Sequence, residues 1–374
     1  MSDLAPPDRM MRVIADWGVV RAAMIRRKPD AFAREEWGYL LSFLDPAALL
    51  QPWREHFAAQ PQPPRPREPV AVWTPNNVSL LGPLVLVLLS LPGGRVRVKS
   101  PLAADDLTGA FLDFARAHAP AGPLAEWLAG GVEAARFDRT DARNAQWAAE
   151  AEVRIVFGSD EACAAINALP HPVDSVQFSF GDHRSVAWIE DGAVTDEVVD
   201  TLVKVFAVYG QAGCTSPSVA VLLGGSRDSA LALRDRMIAR WPLLIRNPTP
   251  WHTASAHTLA FQWARANGWD AAVAPGRGSV LAVGEPGLPA FSGPAALPIT
   301  WAEPDEAVRL LPANLQTIGH ALRNPADPRW AALRAAARPL RWVPLAEMHH
   351  FSHVWDGLCW WEGCWRGDTP VAPR

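Results

Sequence analysis

The chain of 374 residues carries a formal net charge of −4, and 49% of it is hydrophobic. That is enough apolar material for one large core or two to three smaller ones. The mild charge gives no reason to expect nucleic acid or an anionic membrane surface as partner, and 18 Trp against 2 Tyr supply bulky walls without defining a ligand.

The four cysteines, Cys163, Cys214, Cys359 and Cys364, do not make a disulfide framework in a chain of this length, and no secretory-type segment precedes them. The longest apolar run, Leu80 to Leu91, contains Gly82 and Pro83 and is too short to span a bilayer. The expectation is a cytoplasmic protein with reduced thiols and no membrane span.

Residues up to about Ala59 read as helical, with Trp37, Leu40, Leu41 and Leu44 at helical spacing. Gln60 to Pro69 is dense in Pro and reads as an extended linker or arm. Val70 to Trp73 is a short buried strand, Pro75-Asn76-Asn77 turns the chain, and Ser79 to Ser90 is a helix that Gly93-Gly94 closes. Arg95 to Val98 is the next strand, ending at Lys99-Ser100-Pro101, and Asp105 to His118 is helical. Strand, helix and strand with short connections predict a right-handed crossover and a parallel sheet. Val153 to Phe157, a helix opened by Gly158-Ser159-Asp160, and the strands Ser175 to Phe180 and Val186 to Ile189 continue the pattern. The class is α/β, with nucleotide-binding organisation.

Thr195 to Tyr209 reads as a long helix with Thr195 as N-cap and Asp196 and Glu197 at its positive end. Val198, Leu202, Val205, Phe206 and Tyr209 form its apolar stripe. Gly210-Gln211-Ala212-Gly213-Cys214-Thr215-Ser216-Pro217 follows, and Ser218 to Leu223 is strand. One thiol thus lies among small residues between a helix and an apolar strand. A free cysteine is often simply buried; its company upstream argues for chemistry. Arg227 to Arg240 and Ala254 to Asn267 are helices, the second stopped by Gly268.

Four stretches carry a resemblance. Pro75-Asn76-Asn77-Val78-Ser79-Leu80 resembles the P-W-N-F-P turn of the aldehyde dehydrogenase superfamily, or the P-G-N-V-P of its acyl-CoA reductase branch. Val96-Arg97-Val98-Lys99-Ser100 is similar to its V-x-K-x-S segment, and Phe157-Gly158-Ser159 to its F-T-G-S turn. Gly210-Gln211 followed by Cys214 resembles its G-Q-x-C nucleophile segment. The fuller match through Pro217, and the tail Trp355-Asp356-Gly357-Leu358, look like the LuxC-type acyl-CoA reductases. The resemblance covers roughly residues 65 to 370.

It implies an aldehyde dehydrogenase-like α/β fold: a Rossmann-like cofactor domain and a catalytic domain, both with parallel-rich sheets, behind a helical N-terminal segment. The boundaries expected are residues 1–65 for the helical segment and linker, 66–210 for the NAD(P)-binding domain, 211–340 for the catalytic domain, and 341–374 for a Trp- and His-rich segment packing back on the core. It implies Cys214 as the nucleophile and the side-chain amide of Asn77 as an oxyanion donor beside the Cys214 N–H. Lys99 and Ser100 fall to the adenosine ribose or 2′-phosphate, and Gly158 and Ser159 to the cofactor's pyrophosphate or ribose. On the residues alone, Asn77 also suits a turn, and Lys99 also suits a solvent-facing strand end.

Two departures matter. Where hydrolytic members carry E-L-G-G, this chain has Ser179-Phe180-Gly181-Asp182, so the Glu that activates water is replaced by Ser179 and hydrolysis loses its general base. No E-I-F-G-P segment is present, whose Glu usually holds the nicotinamide ribose. His349-His350, His353, Cys359 and Cys364 match no common zinc spacing, so no metal is expected. They read instead as part of an aromatic closing segment with Trp355, Trp360, Trp361 and Trp365. Pro275-Gly276-Arg277-Gly278-Ser279 lacks G-K-[ST] and reads as a turn.

The expected activity is reduction of an acyl thioester, on coenzyme A or an acyl-carrier protein, to an aldehyde through acyl-Cys214, with NADPH as cofactor and NADH as the alternative. A homo-oligomer is compatible with the sequence. The rival readings are an oxidative aldehyde dehydrogenase, against which Ser179 argues, and a catalytically degenerate scaffold that binds an acyl carrier.

Overall fold

Short apolar runs bounded by turn residues become buried strands when helices cover both faces of a sheet. In a computed structural model describing residues 6–56, 65–207, 213–245, 254–276, 279–288 and 296–366, this happens twice. The chain divides into two units, residues 1–181 with 351–374, and residues 182–350.

The first unit opens with three helices, α1 (Pro6–Arg26), α2 (Arg34–Phe43) and α3 (Pro46–His56). Met10, Val13, Ile14, Trp17, Val20 and Met24 recur at three- and four-residue steps along α1, and all are buried. After the two-residue strand β1 (Arg65–Pro66), the strands β2 (Val70–Trp73), β3 (Val96–Ser100), β4 (Val132–Arg136), β5 (Val153–Phe157) and β6 (Val176–Phe180) form one sheet in the order β4-β3-β2-β5-β6. Every neighbouring pair in it is parallel.

Between these strands run α4 (Leu81–Ser90), α5 (Leu107–His118), α6 (Pro123–Gly130), α7 (Arg143–Glu150) and α8 (Asp160–Asn167). α4 is buried along its whole length. The N-terminal helices pack onto this layer: Trp17 donates through Nε1 to Ser90 Oγ at 2.8 Å and stacks on Phe111, and Trp37 meets Phe114 edge-on.

In the second unit, β7 (Arg184–Glu190) and α9 (Asp196–Ala207) are followed by β8 (Pro217–Leu223), α10 (Arg227–Leu244), α11 (Ala254–Ala266), β9 (Asp270–Val273) and β10 (Val280–Val283). Then come β11 (Ala296–Ala302), α12 (Pro304–Ala307), β12 (Leu315–Ala321), α13 (Pro328–Ala337) and β13 (Arg341–Pro344). The sheet order is β13-β12-β7-β8-β11-β10-β9, parallel except where β9 pairs antiparallel with β10. Alternation along β7 feeds two cores. Ala187 and Ile189 join Leu202, Phe206 and Leu233, while Val186 and Trp188 join Trp330 and Leu333.

The tail returns to the first unit. β14 (Val354–Trp355) and β15 (Leu358–Cys359) pair antiparallel. Asp356 and Gly357 turn between them at φ 50° and 75°, the pair of left-handed residues a two-residue hairpin requires. β16 (Trp365–Arg366) pairs with β1. Trp360 and Trp361 are fully buried, and Trp361 donates to the Leu88 carbonyl at 3.0 Å. The sequence put a domain boundary near Gln211; the division by contacts falls at Gly181, because β7 is hydrogen-bonded into the second sheet.

Candidate functional site

In the first sheet the chain builds outward from β2 through β3 to β4, then crosses back to add β5 and β6 on the other side. The order reverses between β2 and β5, and in such sheets ligands bind outside the carboxyl ends of the strands at that point. Lys99 and Ser100 end β3, and Gly158 and Ser159 follow β5 directly, so all four lie at that edge of the sheet. Asn77 lies exposed in the bend between β2 and α4.

Lys99 is half-buried with its Nζ 5.9 Å from the centre of the Phe137 ring. Burial lowers its pKa from the ordinary lysine value, and Asp138 opposes that shift. The Ser100 hydroxyl is buried and shares a 3.1 Å hydrogen bond with Thr108 Oγ1 on α5. Ser159 is the N-cap of α8, its Oγ accepting from the Ala162 N–H at 3.3 Å. The side chains of Ser100 and Ser159 therefore serve the fold. The Gly158 N–H donates to the Phe180 carbonyl at 3.1 Å.

Ser179 lies on β6, where Gln177 Nε2 donates to its Oγ at 3.0 Å and its Oγ donates to Asn167 Oδ1 at 3.3 Å. The Ser179 hydroxyl is thus bonded to its own strand and to the last residue of α8.

In the second unit Cys214 sits in a turn just ahead of β8, closed by a 2.9 Å bond from the Ser216 N–H to the Gly213 carbonyl. It is half-buried. Gly210 and Gln211, part of the motif that pointed to it, lie outside the described residues, as do Arg277 and Gly278. Three side chains hold the turn. Ser185, at the start of β7, donates to the Cys214 carbonyl at 2.7 Å. Gln316, on β12 and 1% exposed, places Nε2 3.5 Å from Cys214 Sγ.

The third is His349. Its Nε2 is 2.7 Å from the Val205 carbonyl, which can only accept, so Nε2 carries the proton. Burial lowers the His349 pKa and keeps the ring neutral, so Nδ1 accepts from the Thr215 hydroxyl at 2.7 Å. His349 therefore ties the last turn of α9 to Thr215, the residue after Cys214.

The other thiols differ. Burial pushes Cys359 up to about 11 and raises Cys364 further, while Cys163 is buried under the first sheet. His353 bonds Glu55 at 2.8 Å. Among the described residues no group of His, Cys, Asp or Glu is arranged to hold a metal ion, and no helix is long and apolar enough to cross a membrane.

Sequence reasoning missed Gln316, Ser185 and His349 as neighbours of the thiol. His349 was noticed only as part of a metal-like cluster. Gln316 carries no motif, and its place depends on strand pairing.

The sequence matches the model of the acyl-CoA reductase (LuxC) family over residues 20–232, more than half of the chain. The chain belongs to the acyl-CoA reductase (LuxC) family. The matched span of this family member includes the whole first sheet and Cys214. No curated protein matches the sequence. Among solved structures it is similar to an aldehyde dehydrogenase from Bartonella henselae, with 12% identity over 97% of this chain and 86% of that one and a TM-score of 0.68. It is also similar to indole-3-acetaldehyde dehydrogenase from P. syringae, solved with NAD+, at 13% identity, 95% and 79% coverage and a TM-score of 0.68. A methylmalonate-semialdehyde dehydrogenase described as putative, from Sinorhizobium meliloti and complexed with NAD, gives 13% identity, 93% and 79% coverage and 0.67. The fold of this family member is aldehyde dehydrogenase-like.

Proposed function

We propose that this acyl-CoA reductase family member reduces an acyl thioester, carried by coenzyme A or an acyl-carrier protein, to an aldehyde, with Cys214 as the covalent nucleophile. The observation that carries the reading is the half-buried Cys214 thiol, held in a turn at the amino end of the central strand β8 with a buried amide 3.5 Å from its sulfur. A thiolate attacks the thioester carbonyl, the bond to the carrier sulfur breaks, and the carrier leaves as a thiol once protonated. Asn77 is the side chain we assign to the oxyanion, together with the Cys214 N–H.

Lys99 and the backbone at Ser100, Gly158 and Ser159 would hold a nicotinamide dinucleotide, NADPH by preference and NADH as the alternative. When bound it supplies the hydride that turns the acyl carbon into an aldehyde. The aldehyde leaves as the C–S bond breaks and the electron pair returns to the Cys214 sulfur. Ser179, bonded to Asn167, offers no carboxylate to activate water, so the acyl-enzyme is expected to wait for reduction.

Intact-mass spectrometry tests this. Mixing the protein with an acyl-CoA and no reduced cofactor should show one acyl adduct, absent in Cys214→Ala. Adding NADPH should discharge it as aldehyde. Carboxylate release with neither adduct nor aldehyde would overturn the reading in favour of a hydrolase.

A further inference from the structure

The second sheet is irregular at one place. Between β12 and β7, Leu315 pairs with Arg184 and Ile318 with Val186, so Gln316 and Thr317 together face the single residue Ser185. Between β7 and β8, Ser185 pairs with Pro217 and Ala187 with Ala220, so Ser218 and Val219 face the single residue Val186. Two extra residues, on the two strands either side of β7, fall within two residues of Ser185. Bulges re-aim side chains and gather beside active sites, and an amide buried in a sheet core needs a polar partner.

Gln316 has such partners. Its Oε1 lies 3.4 Å from the Ser185 hydroxyl and its Nε2 3.5 Å from Cys214 Sγ. The Ser185 proton goes to the Cys214 carbonyl at 2.7 Å, and the amide atom that faces the sulfur is Nε2. We propose that Gln316 is a catalytic residue: aimed by the bulge, its amide donates a hydrogen bond to Cys214 Sγ and stabilises the thiolate before attack and again when the C–S bond breaks and the electron pair returns to sulfur. Hydrogen bonds to a charged atom are stronger than those to a neutral one, so the contact favours the thiolate over the thiol and over the acylated sulfur. His349, which also faces this turn, is neutral and spent on Thr215 and Val205. The proposal rests on Cys214 being the reacting thiol of the function proposed above, but its test needs no acyl substrate.

The experiment follows carboxamidomethylation of each cysteine by iodoacetamide at pH 7, read by peptide mass spectrometry, in the full chain and in Gln316→Met and Gln316→Leu. Both variants keep an apolar side chain of similar bulk and lose the donor. Cys214 labelling should slow about tenfold, the scale of a hydrogen bond to a charged group, while Cys163, Cys359 and Cys364 label as in the parent. A merely structural role for Gln316 gives the opposite sign, because a loosened sheet speeds labelling. Cys214 reacting at the parental rate or faster in either variant would overturn the proposal. If the slowing is seen but the parent forms no adduct with acyl-CoA, Gln316 keeps its role and the reductase reading fails.

Discussion

At the scale of single residues, burial decides how a polar group titrates. His320 lies near the end of β12, its ring centre 4.9 Å from that of Trp342. Burial, helped by Arg334, lowers its pKa from 6.5 to about 4. The unfolded chain therefore binds a proton below about pH 6.5 that the folded chain refuses until about pH 4. The sign follows: stability present above pH 6.5 is lost as the pH falls through that window, by about 1.4 kcal/mol per unit from this one group. Urea unfolding at pH 7 and pH 5 should show a clearly smaller loss in His320→Gln than in the parent, whatever the absolute stabilities. Equal losses would mean that His320 is protonated in the folded protein.

Cys214 could be singled out because the motifs upstream of it, and not its small neighbours alone, resemble a known family. Gln316 could not, because nothing in Leu315-Gln316-Thr317-Ile318 announces that two of its residues will face one on β7. A one-residue change of register reverses which side chains meet, and register is not written locally.

At the scale of elements, what the sequence showed depended on burial. Val70 to Trp73 and Val153 to Phe157 are continuous apolar-rich runs, and they are strands over those same residues. β4 reads Val-Glu-Ala-Ala-Arg and lies on the sheet's edge with exposed positions, so no apolar pattern marked it. Packing between α4 and α5 rests on a residue without a side chain. A Cβ at Gly82 would overlap the Thr108 hydroxyl, the group that also bonds Ser100 at the end of β3. Gly82→Ala should therefore destabilise the protein by about 1–3 kcal/mol, the usual cost of overpacking. Thr108→Ala removes the obstructing hydroxyl, so the double variant should be more stable than the two single effects predict by addition. Strict additivity in denaturant midpoints would show that α4 shifts freely and that the close approach is not a constraint.

At the scale of the whole molecule, the candidate groups are divided between two units that each own a sheet. Lys99, Ser100, Gly158 and Ser159 belong to the first, with Asn77, while Cys214, Gln316, Ser185 and His349 belong to the second. The boundary itself was hard to read because Ser175 to Ile189 supplies strands to both sheets, with Gly181 between them. Which sheet β7 joins is decided by its long-range pairing with β8 and β12.

Lys99 and Cys214 lie on different sheets, so their two tasks can be tested separately. Cys214→Ala should bind NADPH with the parental dissociation constant, measured by cofactor fluorescence, and form no acyl adduct. Lys99→Ala should reach the parental extent of acylation, read by intact mass, yet discharge the adduct only at raised NADPH. A lysine beside a 2′-phosphate contributes a charge interaction that a ribose hydroxyl cannot match, so the loss should be larger for NADPH than for NADH. Equal losses would place Lys99 at the ribose. Failure of Lys99→Ala to acylate at all would show that the first sheet governs the nucleophile, and the assignment of separate tasks to the two sheets would fall.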